Sequence, residues 1–212
     1  MLLFRLVAGL VLCALSLQTV YAQSLAPELP TLPDLAAVGV DPTTTAFLVL
    51  DINSAVCPSR PACVGSIPAI QALLAKARAA NVFVGYSTTA GATVLPEVAP
   101  RDGDPVVTAR ADKFFNTDLD QILKSHGIQT VMIVGAAANG AVLYTTFGAV
   151  ERGYTVVVAT DGISSGPDFD TFLTEYQVLN MPGFGNAMNN PLQPTAATLS
   201  RSDLITFGAT NK

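Results

Sequence analysis

A chain of 212 residues, half of them hydrophobic and 13% charged, has the length of one domain and ample material for a core. Its formal charge of −5 comes without a basic cluster, which excludes the electrostatic footprint of a nucleic-acid binder. The chain starts with MLLFRLVAGLVLCALSLQTVYAQ, which holds one basic residue (Arg5), an apolar run over residues 6–17 and a small-residue site ending at Ala22. This reads as a secretory signal peptide over residues 1–22 and predicts a secreted or periplasmic protein. The run is too short for a bilayer, which needs roughly 20 apolar residues, so no membrane association is expected after cleavage. Export implies an oxidising compartment, so Cys57 and Cys63, close together around Pro58 and Pro61, are expected to form a disulfide. A free reactive thiol at Cys57 is the alternative.

Residues 23–44, with Pro27, Pro30, Pro33 and Pro42, read as an extended arm, and the domain is expected to occupy residues 45–212. Residues 45–50 (TAFLVL) form a buried strand that delivers Asp51 at its carboxyl end. Ser66 then serves as N-cap of a helix with Ile67, Ile70, Leu74 and Ala77 at helical spacing, and residues 82–87 make the next strand. Residues 88–112 are irregular, with Gly91, Pro96, Pro100, Gly103 and Pro105, and a loop of that length is commonly functional. Residues 117–120 (TDLD) resemble a capping box before a helix that carries Leu119, Ile122 and Leu123 and closes on Lys124, His126 and Gly127. His126, the single histidine, is read as a helix-end residue, and it cannot by itself supply a set of histidine metal ligands.

The stretch 128–161 is a βαβ unit: an apolar strand (130–134), a small-residue turn (135–140), a helix (141–152) and a second apolar strand (154–159). A Gly/Ser turn over 161–167 follows, then a helix capped by Asp168 with Phe169, Phe172, Leu173 and Tyr176. MPGFGNAMNNPLQP reads as a long loop that could lie over a pocket, and residues 203–207 (DLITF) as an edge strand. Alternating strands and helices predict a single α/β domain, a Rossmann-like three-layer sandwich with a mostly parallel sheet of about five or six strands and helices on both faces.

In such a sheet Asp51, the region 110–115 and the turn 136–141 share the carboxyl edge, where ligands bind. Asn139 and Gly140 could form a left-handed step that exposes N–H groups to an oxyanion or a carboxylate. Arg110 and Lys113 could hold an anion or could be a solvated edge, and Phe114 and Phe115 are expected to pack under the next helix.

The segments FLVLDIN, FFNTDLDQILKSHGI and VGAAANGAVLYTTFGAVERGYTVVVATD, in this order and spacing, resemble the isochorismatase-like cysteine hydrolase family over roughly residues 45–161. The resemblance implies a hydrolase that acts on a small molecule with no cofactor, and family members are often oligomers. It also implies a machinery of Asp, Lys and Cys, in which the Asp takes the thiol proton and the Cys attacks a carbonyl. Asp51 matches the Asp, and Asn53 stands where a Gln is frequent. Ala141 falls at the position of the Cys, so thiol catalysis from this turn is excluded. Counting back from Phe114 puts Thr108 at the usual Lys and Arg110 where many members also have Arg; Lys113 could reach the same space only if the loop is rearranged. True isochorismatases also lack the Cys, because an Asp protonates the enol-ether carbon and water completes the hydrolysis. The chain is thus expected either to hydrolyse an isochorismate-type vinyl ether through Asp51, with Arg110 or Lys113 holding an anionic substrate, or to be an inactive pseudoenzyme that binds a small molecule or partner.

Overall fold

The computed structural model describes residues 28–208, so the expected signal peptide lies outside the described residues. Residues 28–32 carry no regular secondary structure, and the domain unit begins at Pro33.

Its elements in chain order are β1 (Val38–Val40), β2 (Thr45–Leu50), α1 (Pro61–Ala79), β3 (Phe83–Thr88), β4 (Val106–Thr108), α2 (Leu119–Ser125), β5 (Thr130–Ala136), α3 (Leu143–Glu151), β6 (Thr155–Ser164), α4 (Asp168–Leu179), β7 (Ala197–Ser200) and β8 (Ile205–Phe207). Six strands form one parallel sheet in the order β4-β3-β2-β5-β6-β7. Successive side chains of a strand point to opposite faces, and β2 shows how both faces are used. Ala46, Leu48 and Leu50 enter a core with Val131 and Ile133 of β5, Leu123 of α2, Val150 of α3 and Val178 of α4. Phe47 and Val49 enter a second core with Met132 and Val134, Ile70 and Leu73 of α1, and Val38 and Ile205 of the small strands. Each such large side chain contributes about 1.5–3 kcal/mol on full burial, which is why β2 and β5 read as continuous apolar runs.

Several local expectations change. The presumed edge strand is β8, which pairs in parallel with β1 as a separate two-stranded sheet, with Val38 opposite Ile205; β1 lies within the stretch read as an arm. The true edges of the large sheet are β4 and β7. Ser66 is no cap, because Pro61 starts α1, where its missing N–H costs nothing, and the Ser66 hydroxyl donates to the Cys63 carbonyl at 2.8 Å. The helix expected from residue 141 begins as a π-helical turn, Ala138–Val142, before α3. β6 continues past Ala159 to Ser164 through a register shift against β5. In the Asn-rich loop, Asn186 and Asn189 are buried staples rather than a polar cover. Asn186 Nδ2 donates to the carbonyls of Asn190 and Ala197, and Asn189 exchanges hydrogen bonds with Leu199.

Candidate functional site at the sheet switch point

From β2 the chain moves outward through β3 to β4, then returns so that β5 lies on the other side of β2. The strand order therefore reverses between β2 and β5, and the crevice beyond their carboxyl ends is where open α/β sheets hold ligands. Leu50 is in register with Gly135, so Asp51 and the turn after β5 emerge side by side. The approach is close: a Cβ on Gly135, which has φ of +143°, would lie 2.2 Å from the Leu50 carbonyl oxygen, so only glycine fits.

Asp51 has φ of +53°, an uncommon conformation for a residue with a side chain and one found preferentially at functional sites. Its Oδ1 accepts a hydrogen bond from Ser87 Oγ at 2.9 Å, and its Oδ2 lies 2.6 Å from Lys113 Nζ. Lys113 also donates to the carbonyls of Arg110 at 2.5 Å and Ala109 at 3.3 Å, so the ammonium has a partner for each of its three donors. Lys113 is 0% exposed and Asp51 4%, so the pair is desolvated, and a buried charge of this kind persists only when paired and hydrogen-bonded.

The loop is thus arranged to bring in Lys113, although family spacing pointed to Thr108, which is exposed at the end of β4. Its backbone is pinned from α3 and from its own turn. Lys113 N–H donates to Thr145 Oγ1 at 3.2 Å, Thr117 Oγ1 donates to the Lys113 carbonyl at 2.6 Å, and Phe114 N–H donates to Asp112 Oδ1 at 2.9 Å. Phe114 is buried, with its ring centroid 6.1 Å from that of Tyr154 and the Arg152 guanidinium 4.8 Å above it. Phe115, expected to pack beside it, is instead 68% exposed.

Arg110 is exposed and serves the pair through its carbonyl. Asn53 is buried, and its Oδ1 accepts the N–H groups of Ala55 and Val56 at 3.0 Å each, shaping the loop after Asp51 and leaving Nδ2 without a partner. In the turn after β5 the Ala136–Ala137 peptide is cis. The left-handed step expected at Asn139 and Gly140 is absent, since the positive φ of this turn belongs to Gly135. Their N–H groups are engaged, Asn139 with Ser165 Oγ at 3.3 Å and Gly140 with the Ala137 carbonyl at 3.0 Å. Ser165 Oγ in turn donates to Asn139 Oδ1 at 3.0 Å, a partner that the sequence reading missed. Residue 141 is a buried alanine and offers only a methyl group.

Cys57 and Cys63 lie with Cα atoms 5.1 Å apart and their sulfurs at bonding distance. Both are buried, which deprives Cys57 of the access a substitute nucleophile needs. His126 caps the end of α2, and its ring packs tilted at 45° against Phe83 with centroids 4.5 Å apart. Among the described residues no group of three His, Cys, Asp or Glu side chains could hold a metal ion.

The sequence profile of the isochorismatase domain matches residues 45–174, more than half of the chain. The chain belongs to the isochorismatase family. It is 35% identical over 112 residues to the "Secreted isochorismatase effector Isc1" of Verticillium dahliae, covering 46% of this chain and 59% of that protein. It is 32% identical over 99 residues to the "Ureidoacrylate amidohydrolase RutB" of Agrobacterium fabrum, covering 46% of this chain and 43% of that one. The matches thus span about half the length of these curated relatives. The fold superposes on a cysteine hydrolase from Pseudomonas syringae pv. phaseolicola with a TM-score of 0.67 at 20% identity, over 83% of this chain and 95% of that one. An N-carbamoylsarcosine amidase from Thermoplasma acidophilum gives 0.63 at 23% identity, over 76% and 97%. These likenesses establish the single α/β domain with its parallel sheet as the isochorismatase fold.

Proposed function

We propose that this isochorismatase-family chain is an exported hydrolase without a thiol, in which Asp51 and Lys113 together cleave an isochorismate-type vinyl ether. The observation that carries this reading is the 2.6 Å contact between Lys113 Nζ and Asp51 Oδ2, in a chain whose residue 141 is alanine. Amide hydrolysis through an acyl-enzyme needs a nucleophile that residue 141 does not have. Vinyl-ether cleavage needs only a positioned acid and water. The proton crosses from Lys113 to Asp51 and then to the terminal enol-ether carbon; water adds to the resulting oxocarbenium carbon, and the C–O bond breaks to leave a 2-oxo acid and an alcohol. Water returns the proton to the pair. Asn53 Nδ2, a buried donor without a partner, supports a polar substrate group nearby, and Arg110 is the exposed cation available to an anionic one.

The test is turnover of isochorismate and of a panel of small amides by the mature protein, with Asp51→Asn in parallel. The expected result is release of the 2-oxo acid from isochorismate, lost in the Asn variant, with no ammonia from any amide. Amide turnover would overturn the reading.

The closed environment of the pair favours a second reading, a binding protein without turnover, since Lys113 has no exposed surface. Equal rates for wild type and Asp51→Asn on every substrate would select it. Export rests on residues 1–22 and is supported by the relative named as a secreted effector. A mature chain beginning at Gln23, read from its intact mass, is the expected product; retained residues 1–22 would remove it.

A further inference from the structure

A second cleft, of about 400 Å³, opens between the start of α1, the carboxyl end of β6 and the first turns of α4. Neither Asp51 and Lys113 nor the residues that hold them line it. Asp161, Asp168 and Glu175 line it, and its lining contains no Lys, Arg or His. Glu175 makes no ion pair among the described residues, and burial pushes its carboxyl above the ordinary carboxylate range. Phe172 and Ile163 add apolar surface to the lining, and on the α1 side the small residues Ala62 and Gly65 line it. Ser164 forms part of the wall, is 5% exposed, and has an Oγ with no hydrogen-bond partner. A buried hydroxyl without a partner costs stability that a bound polar group would return.

We propose that this cleft binds a small organic cation, a primary ammonium or guanidinium attached to a short apolar chain. The carboxylates of Asp168 and Glu175 balance its charge, the face of Phe172 receives the cation and its methylene groups, and Ser164 Oγ takes a hydrogen bond. Asp161 is partly committed, since its oxygens accept the N–H and the hydroxyl of Ser202, and it contributes field more than a direct contact. A divalent metal does not suit the site, because no three of these acids come together as ligands. The size agrees with a small ligand, whose pockets begin near about 300 Å³.

Calorimetric titration of the full mature protein with putrescine tests this, with its uncharged diol analogue and with magnesium chloride at matched ionic strength as controls. Saturable binding of putrescine alone is expected, weakened about tenfold by Glu175→Gln and by Phe172→Leu. Glu175→Gln is an isosteric change at a partly exposed position, and an unchanged circular dichroism spectrum shows that the variant is folded. Absence of putrescine binding, binding that Glu175→Gln leaves intact, or equal displacement by magnesium would each overturn the proposal, the last by reducing the cleft to a nonspecific acidic patch.

Discussion

Ser87 Oγ donates a 2.9 Å hydrogen bond to Asp51 Oδ1, and the carbonyl of the same serine accepts the Asp51 N–H at 3.2 Å. One residue of β3 thus fixes both the backbone and the side chain of the residue that ends β2, and it leaves Oδ2 to Lys113. Ser87→Ala leaves one oxygen of a buried carboxylate without a donor, a loss of about 1–3 kcal/mol. The urea midpoint should fall accordingly. Under the proposed mechanism, in which Ser87 only orients Asp51, kcat on isochorismate should drop with little change in KM. A variant with wild-type midpoint and kcat would remove Ser87 from the site.

The Lys113–Asp51 pair makes a sharper prediction. Removing one partner of a buried pair leaves an uncompensated charge and typically costs about 3–5 kcal/mol, whereas replacing both with apolar groups of similar volume is close to neutral. Lys113→Met should therefore lose most of that stability, and the double variant Lys113→Met, Asp51→Leu should recover much of it. Equal losses in the single and double variants in denaturant melts would mean that the loop, and not the charge pair, sets the cost.

The contrast between β2 and Lys113 shows what the sequence could reveal. TAFLVL and TVMIV are continuous apolar runs because both faces of a parallel sheet are covered, and that signal is local. The place of Lys113 depends on Thr145 and Gly148 of α3, far along the chain, so spacing from Phe114 pointed to Thr108 instead. β7 was hidden for a related reason. Its buried Thr198 and Ser200 look polar in sequence, but their hydroxyls donate to the carbonyls of Asn190 and Ala36. β4 is a three-residue edge strand, too short to carry a period. Asp51 was legible because a charged residue after an apolar strand marks the sheet edge whatever the tertiary detail.

Besides the Thr145 hydroxyl, α3 supports the Lys113 loop through close packing at Gly148. A Cβ there would lie 2.9 Å from Asp112 Oδ1 and 3.1 Å from Phe114 Cδ2. Gly148→Ala should push back the residues on either side of Lys113, costing about 1–3 kcal/mol as an overpacked core does. Thermal melts and, under the proposed mechanism, isochorismate turnover check this together: both should fall, although residue 148 contacts Asp112 and Phe114 and not Asp51 or Lys113. An alanine variant as stable and as active as wild type would show that the loop yields without moving the ammonium.

Two carboxyls should give the stability of the protein opposite slopes with pH. Burial pushes Glu175 above its ordinary value of 4.5, and the groups that share its cleft, Asp161 and Asp168, are acids. The folded chain then holds this proton more tightly than the unfolded chain. The associated stability is present below 4.5 and is lost as pH rises through the folded value. At Asp120 burial also pushes upward, but hydrogen bonds from Lys124 and Tyr154 outweigh it and hold the carboxyl below its ordinary 3.8. Its stability is present above 3.8 and is lost as pH falls through the folded value. Urea midpoints measured across the acid range should therefore lose their decline on the rising side in Glu175→Gln and part of their acid limb in Asp120→Asn. If Glu175→Gln follows the wild-type curve at every pH, its carboxyl is not desolvated in solution, and the α4 side of the second cleft stands open to water.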